Sequence, residues 1–101
     1  MSIYNNYLFY MKKHVTFAFG RFNPPTIGHK KLVDLVEKSA AGGDFYIFAS
    51  QSQDPDKNPL DYQTKIKFLR RLFPEVQDKI VEDSTIKNVL QAADKLKSLG
   101  Y

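Results

Sequence analysis

FAFGRFNPPTIGHKKLV, residues 17–33, decides how the chain is read. Apolar residues run into Gly20, a loop carrying Pro24 and Pro25 follows, and an apolar helical pattern starts after Gly28-His29. His14–Phe19 (HVTFAF) is short, β-branched and aromatic, which predicts a buried strand. Residues 27–41 predict a helix, with Leu32, Val33, Leu35, Val36 and Ala40 on one face and Lys31, Asp34 and Lys38 on the other. Gly42-Gly43 ends it. The loop therefore joins the carboxyl end of a strand to the head of a helix. Thr26 and His29 lie one turn apart there, about 60° from each other. His29 is in line with Val33 and Val36, so its imidazole is expected to face the strand ends. The unpaired N–H groups and positive dipole of a helix head suit phosphate. Gly28 permits close backbone approach, the prolines stiffen the loop, and Thr26 can cap the helix or hold a phosphate oxygen.

The pattern repeats outward from this loop. FYIFAS, 45–50, predicts a second buried strand, and QSQDPDKNP, 51–59, a polar loop. Asp61 caps a predicted helix over 62–73 whose apolar stripe is Tyr62, Ile66, Leu69 and Phe73; Pro74 ends it. KIVE, 79–82, predicts a short third strand. Ser84 or Thr85 then caps a last helix, with Ile86, Val89, Leu90, Ala93 and Leu96 inward. Alternation at this spacing, with strands apolar on both faces, predicts an α/β unit of three layers with a parallel sheet in strand order 3-2-1. Ligands of such sheets bind beyond the carboxyl ends of the strands.

The bulk properties bound the partners. With 101 residues the chain predicts a single domain, and its net charge of +4 suits an anionic partner while falling short of a nucleic-acid groove. The absence of cysteine excludes disulfides and thiolate metal sites. Residues 1–11 lack the features of a signal peptide and are too short to span a membrane. They are expected to form an arm, either flexible or packed on the first strand, ahead of a domain over 12–101.

The loop resembles that of the nucleotidyltransferase superfamily carrying the (His/Thr)-x-Gly-His motif. It is closest to nicotinamide-mononucleotide adenylyltransferases, whose loop reads Gly-x-Phe-x-Pro-x-(His/Thr)-x-Gly-His. Gly20, Phe22, Pro24, Thr26, Gly28 and His29 fill that pattern, and Arg21 is similar to the archaeal-type branch. Asn58-Pro59-Leu60 before a basic helix is a second match, and the resemblance covers residues 13–101. It implies a Rossmann-like fold, a cytoplasmic location, and attack by an acceptor phosphate on the α-phosphate of a nucleoside triphosphate, with release of pyrophosphate. His29 would stabilise charge at the α-phosphate, and Thr26 would hold the neighbouring phosphates. Gly20, Arg21, Phe22, Asn23 and Gly28 would line the phosphates, with Mg²⁺ bridging them. Lys57, Lys65, Lys67, Arg70 and Arg71 form a basic run, from which Lys57 is assigned to phosphate and most of the rest to the surface. Lys30 and Lys31 read as a solvated helix face, and Asp54, Asp56 and Asp61 as loop solvation and capping rather than a metal cluster.

The family's sheet has five strands ordered 3-2-1-4-5, with a late Ser/Thr motif on the triphosphate. Ser84-Thr85-Ile86-Lys87 is similar to that motif but follows the third strand, so it reads as a helix cap. The expectation is therefore the first part of such a domain. The exposed edge of its first strand would be covered by a further half, by the 1–11 arm or by a second copy. ATP with nicotinamide mononucleotide is the favoured substrate pair. Cytidylyl transfer from CTP, pantetheine-phosphate adenylylation and flavin nucleotide synthesis compete with it, and a non-catalytic nucleotide-binding or interaction module stands as the other class.

Overall fold

All six residues of Val15–Gly20 are buried, and this strand organises the chain. The computed structural model describes residues 6–11, 15–22, 25–51 and 60–101. Strand β1 (Asn6–Met11) pairs antiparallel with β2 (Val15–Gly20), and β2 pairs parallel with β3 (Asp44–Ala49). Helix α1 (Lys30–Ala40) joins β2 to β3; α2 (Tyr62–Leu72) and α3 (Val89–Ser98) follow. Short 3-10 turns, Ile27–His29 and Pro74–Lys79, precede α1 and follow α2. The order along the sheet is β1-β2-β3. The strand edge left open in the sequence reading is thus lined by residues 6–11, in register from Asn6 opposite Gly20 to Met11 opposite Val15.

Helices cover both faces, as a buried parallel pair requires. On one face Ala18, Ile47 and Ala49 pack with Val33 and Val36 of α1 and with Ile66 and Leu69 of α2. On the other, Val15, Phe17, Phe19 and Phe48 pack with Ala92 and Leu96 of α3. Phe17 and Phe48 meet edge to face, with ring centroids 5.6 Å apart. This is the layering of a Rossmann-like unit, built on a two-stranded parallel core.

Three expectations need correction. Residues 79–82 do not form a strand. They touch the sheet through one parallel bridge, Ile47 to Ile80, and through the bond from Val81 N to Ile47 O at 2.9 Å. Side chains of α2 have taken the backbone groups that a ladder would use. Arg70 donates to Ile80 O at 2.7 Å, and the Tyr62 hydroxyl donates to Val81 O at 3.2 Å while accepting from Asp83 N at 2.9 Å.

The last helix starts later than expected. Asp83 accepts from the Thr85 amide and hydroxyl, at 3.0 and 2.6 Å, which makes a local turn in place of a helix cap. Asn88 is the cap, its side chain accepting from Gln91 N at 2.9 Å. Leu90 and Leu35, both expected inward, are 76% and 48% exposed. At 100° per residue each sits about 120° from the centre of its buried stripe.

The remaining helix boundaries follow local chemistry. Asp61 caps α2 by accepting from Thr64 N at 2.8 Å. The amino-terminal end of α1 is the 3-10 turn, and its carboxyl end closes through Ala41 and Gly42, both at positive φ, of 51° and 87°. His14, the expected start of the strand, lies outside the described residues, and no helix among the described residues is long and apolar enough to cross a membrane.

Capping gives a direct check on the corrected start of α3. Asn88→Ala is expected to lower unfolding stability by about 1 kcal/mol. Ser84→Ala should leave it within about 0.5 kcal/mol. Chemical denaturation of the two variants distinguishes the two caps.

Candidate functional site

The loop between β2 and α1 leaves the sheet at the carboxyl ends of the two parallel strands. The bond from Ser50 N to Gly20 O, 2.8 Å, carries the ladder one step past the strands and holds those ends together. Arg21 follows and is exposed. Phe22 then takes a φ of 47°, a left-handed conformation that a bulky side chain rarely adopts. Its ring is 1% exposed and belongs to the core with Val33 and Leu69. Burying the ring offsets a local strain of about 1–3 kcal/mol.

Thr26 is in extended conformation ahead of the Ile27–His29 turn, and its carbonyl accepts from His29 N at 3.0 Å. The Thr26 N–H donates to His29 Nδ1, also at 3.0 Å. This bond fixes the ring chemically. A nitrogen that accepts carries no proton, so the neutral imidazole holds its proton on Nε2. Burial holds the His29 pKa below its ordinary 6.5, and the ring is 6% exposed and packed edge-on against Phe22 at 4.9 Å. His29 is therefore a neutral, oriented Nε2–H donor, and no hydrogen bond among the described residues uses that proton. The Thr26 hydroxyl stands 3.3 Å from the same Nδ1, on an exposed residue. Ile27 and exposed Gly28 precede the first helical hydrogen bonds, so their N–H groups have no helical partner.

The structure thus brings Gly20, Arg21, Phe22, Thr26, Gly28 and His29 onto one strand-loop-helix turn. Asn23, Lys57, Asn58, Asp54 and Asp56 lie outside the described residues. Lys30 and Lys31 are exposed, and Lys30 pairs with Asp34 at 3.3 Å, a contact of small energetic weight at the surface. Lys67, Arg70 and Arg71 line a groove of about 540 Å³ on the outer side of α2, with Glu82 across from them. That groove shares no residue with the Thr26–His29 turn.

Two residues at the strand ends were not singled out in the sequence. Gln51 donates to Ile86 O at 2.7 Å and Ser84 O at 3.0 Å, and so fastens the loop after Ile80 beneath the end of β3. Lys65, grouped there with the surface lysines, has none of its surface exposed. It donates to Ser50 O at 3.0 Å, and burial first, Arg21 second, push its pKa down to about 8. The only sequence signal for Lys65 was helical phase. It precedes Ile66 in the stripe and lies one turn after Asp61.

A family model described as cytidylyltransferase-like matches residues 17–98, which contain this turn and all three helices. The match carries nucleotidyl transfer, with nucleotides as substrates in general. No curated protein and no solved structure matches the chain significantly.

Both buried ionisable groups make the fold more stable as pH rises, in different pH windows. With its pKa below 6.5 in the fold, His29 binds fewer protons than in the unfolded chain at mildly acid pH. Its contribution to stability is complete above 6.5 and is lost as pH falls towards the folded value. Lys65 titrates near 8 in the fold and near 10.5 when unfolded. The unfolded chain holds the extra proton between those values, so stability rises from pH 8 to 10.5. Long-range ¹H–¹⁵N spectra should show His29 as the Nε2–H tautomer at neutral pH, titrating below 6.5. Denaturation from pH 8 to 10.5 should show the alkaline rise in the wild type and its absence in Lys65→Met.

Proposed function

We propose that this chain, which belongs to the cytidylyltransferase-like family, transfers a nucleotidyl group from a nucleoside triphosphate to a phosphate-bearing acceptor. The Gly20–His29 loop supports ATP as donor and nicotinamide mononucleotide as acceptor. The family's description keeps CTP as the competing donor. The observation that carries the reading is the His29 ring, buried at the head of α1 with Nδ1 bonded to the Thr26 amide and Nε2–H unused among the described residues.

An acceptor phosphate oxygen attacks the α-phosphorus, and the bond from that phosphorus to the α,β-bridging oxygen breaks as pyrophosphate leaves. Such a reaction asks little covalent chemistry of the protein; position and charge do most of the work. The His29 Nε2–H donates to a non-bridging α-phosphate oxygen as its charge grows. Thr26 Oγ1 and the N–H groups of Ile27 and Gly28 hold the neighbouring phosphates, and Arg21 supplies positive charge. Asn23 and Lys57 are assigned to the same phosphates by the motif.

The donors of the turn are N–H groups, a hydroxyl and a guanidinium, and the described residues hold no group of three His, Asp or Glu side chains fit to cage a metal. This donor set would suit a Mg²⁺ brought in with the triphosphate, where the ion would supply charge neutralisation while Arg21, Thr26 and the N–H groups of the turn hold the phosphates.

Pyrophosphate release is the test, with ATP plus nicotinamide mononucleotide and then with CTP plus other phosphate acceptors. His29→Ala is expected to lower kcat by roughly 10²–10³-fold with little change in KM for the triphosphate, as for loss of a donor used mainly in the transition state. Thr26→Val should be milder, since it removes one neutral hydroxyl. A rate unchanged in His29→Ala would remove the enzymatic reading and favour a nucleotide-binding module.

A further inference from the structure

Lysine is almost never fully buried without a counter-charge, because removing an ammonium from water costs several kcal/mol. Lys65 breaks that rule. None of its surface is exposed, and its hydrogen bond is to a neutral carbonyl, Ser50 O, at 3.0 Å. Among the described residues the charged group that acts on it is another cation, Arg21. An apolar side chain of the same length would serve the core of α2 at lower cost. The fold therefore keeps a buried positive charge with nothing in its own described structure to balance it. Departures of this kind concentrate at functional sites.

Its place supplies the reason. Lys65 grips Ser50 at the end of β3, Ser50 N grips Gly20 O at the end of β2, and Gly20 leads directly into Arg21, Phe22 and the Thr26–His29 turn. One buried ammonium thus reaches from α2 through two strand ends into the loop that the proposed reaction uses. It also lies near enough to Arg21 for the two charges to act on one another.

We propose that Lys65 is the positioning residue of the nucleotide site: it locks the carboxyl ends of β2 and β3 in the geometry that presents Arg21 and the loop, and its buried charge is balanced by the phosphates of the bound nucleoside triphosphate. This rests on the nucleotidyltransferase reading above. The proton on Lys65 and the bound polyanion then favour one another. Binding draws a proton onto Lys65 above pH 8, and loss of that proton weakens binding.

Calorimetric titration of the wild type and Lys65→Met with ATP and Mg²⁺, at pH 7 and pH 9, tests this. The wild type should bind roughly fivefold more weakly at pH 9, the effect of about one pKa unit of coupling on a group titrating at about 8. Lys65→Met should bind at least that much more weakly at pH 7, with no further loss at pH 9, while melting at or above the wild-type temperature. Binding by Lys65→Met equal to wild type at both pH values would overturn the proposal and leave the nucleotide reading intact. Failure of the wild type to bind ATP, CTP or pyrophosphate would overturn both. If Lys65→Met does not fold, the ¹⁵Nζ titration of Lys65 in the wild type decides instead. Its midpoint should move up from about 8 when ATP is added, and an unmoved midpoint in ATP-saturated protein would refute the proposal.

Discussion

The double burial of β2 is the constraint from which the rest follows. Its six residues alternate between two cores, with Val15, Phe17 and Phe19 against α3 and Ala18 against α1 and α2. A slip of one residue would exchange the cores and place Phe17 where the structure has room for Ala18. Register is therefore strongly specified on both faces. Both edges of β2 are also occupied, by β1 on one side and β3 on the other. The first residue free of the sheet is Arg21, so the loop has one place to go: across the strand ends to the head of α1.

Around that loop the structure accepts several local costs. Phe22 holds a left-handed backbone, His29 is buried with a depressed pKa, and Lys65 is buried against a cation. The three are linked. The Phe22 ring packs on His29, and Lys65 reaches Gly20 through Ser50. The exposed helix faces carry ordinary surface pairs such as Lys30 with Asp34. A core designed for stability alone would contain neither buried ionisable group. Their concentration at one end of the sheet distinguishes this turn from the other helix heads among the described residues.

How legible an element was in the sequence depended on the range of the bonds that set it. The end of β2 at Gly20, the α2 cap at Asp61 and the helix of residues 30–40 were legible because apolar periodicity and a bond over three residues decide them. The supposed strand at 79–82 failed because Arg70 and Tyr62, ten to twenty-one residues away, claim the backbone groups of Ile80, Val81 and Asp83. The supposed cap at Ser84 or Thr85 failed because Asp83 captures Thr85, and Gln51 takes the carbonyls of Ser84 and Ile86 from more than thirty residues away. Lys65 was hidden for a different reason. Burial of a lysine contradicts the strongest compositional expectation for that residue, and only the packing of α2 on the sheet shows it.

The site divides direction from charge. Burial disfavours the His29 imidazolium, and Nδ1, 3.0 Å from the Thr26 N–H, is the acceptor of the neutral ring. The ring is thereby confined to one tautomer and one role, an aimed hydrogen bond of neutral character. A triphosphate brings several negative charges that such a donor cannot balance. The balance has to come from cations whose position is fixed before the ligand arrives, since ordering flexible lysines at the moment of binding costs rotamer entropy. Lys65, bonded into the strand ends, meets that requirement, whereas exposed Arg21, Lys30 and Lys31 do not.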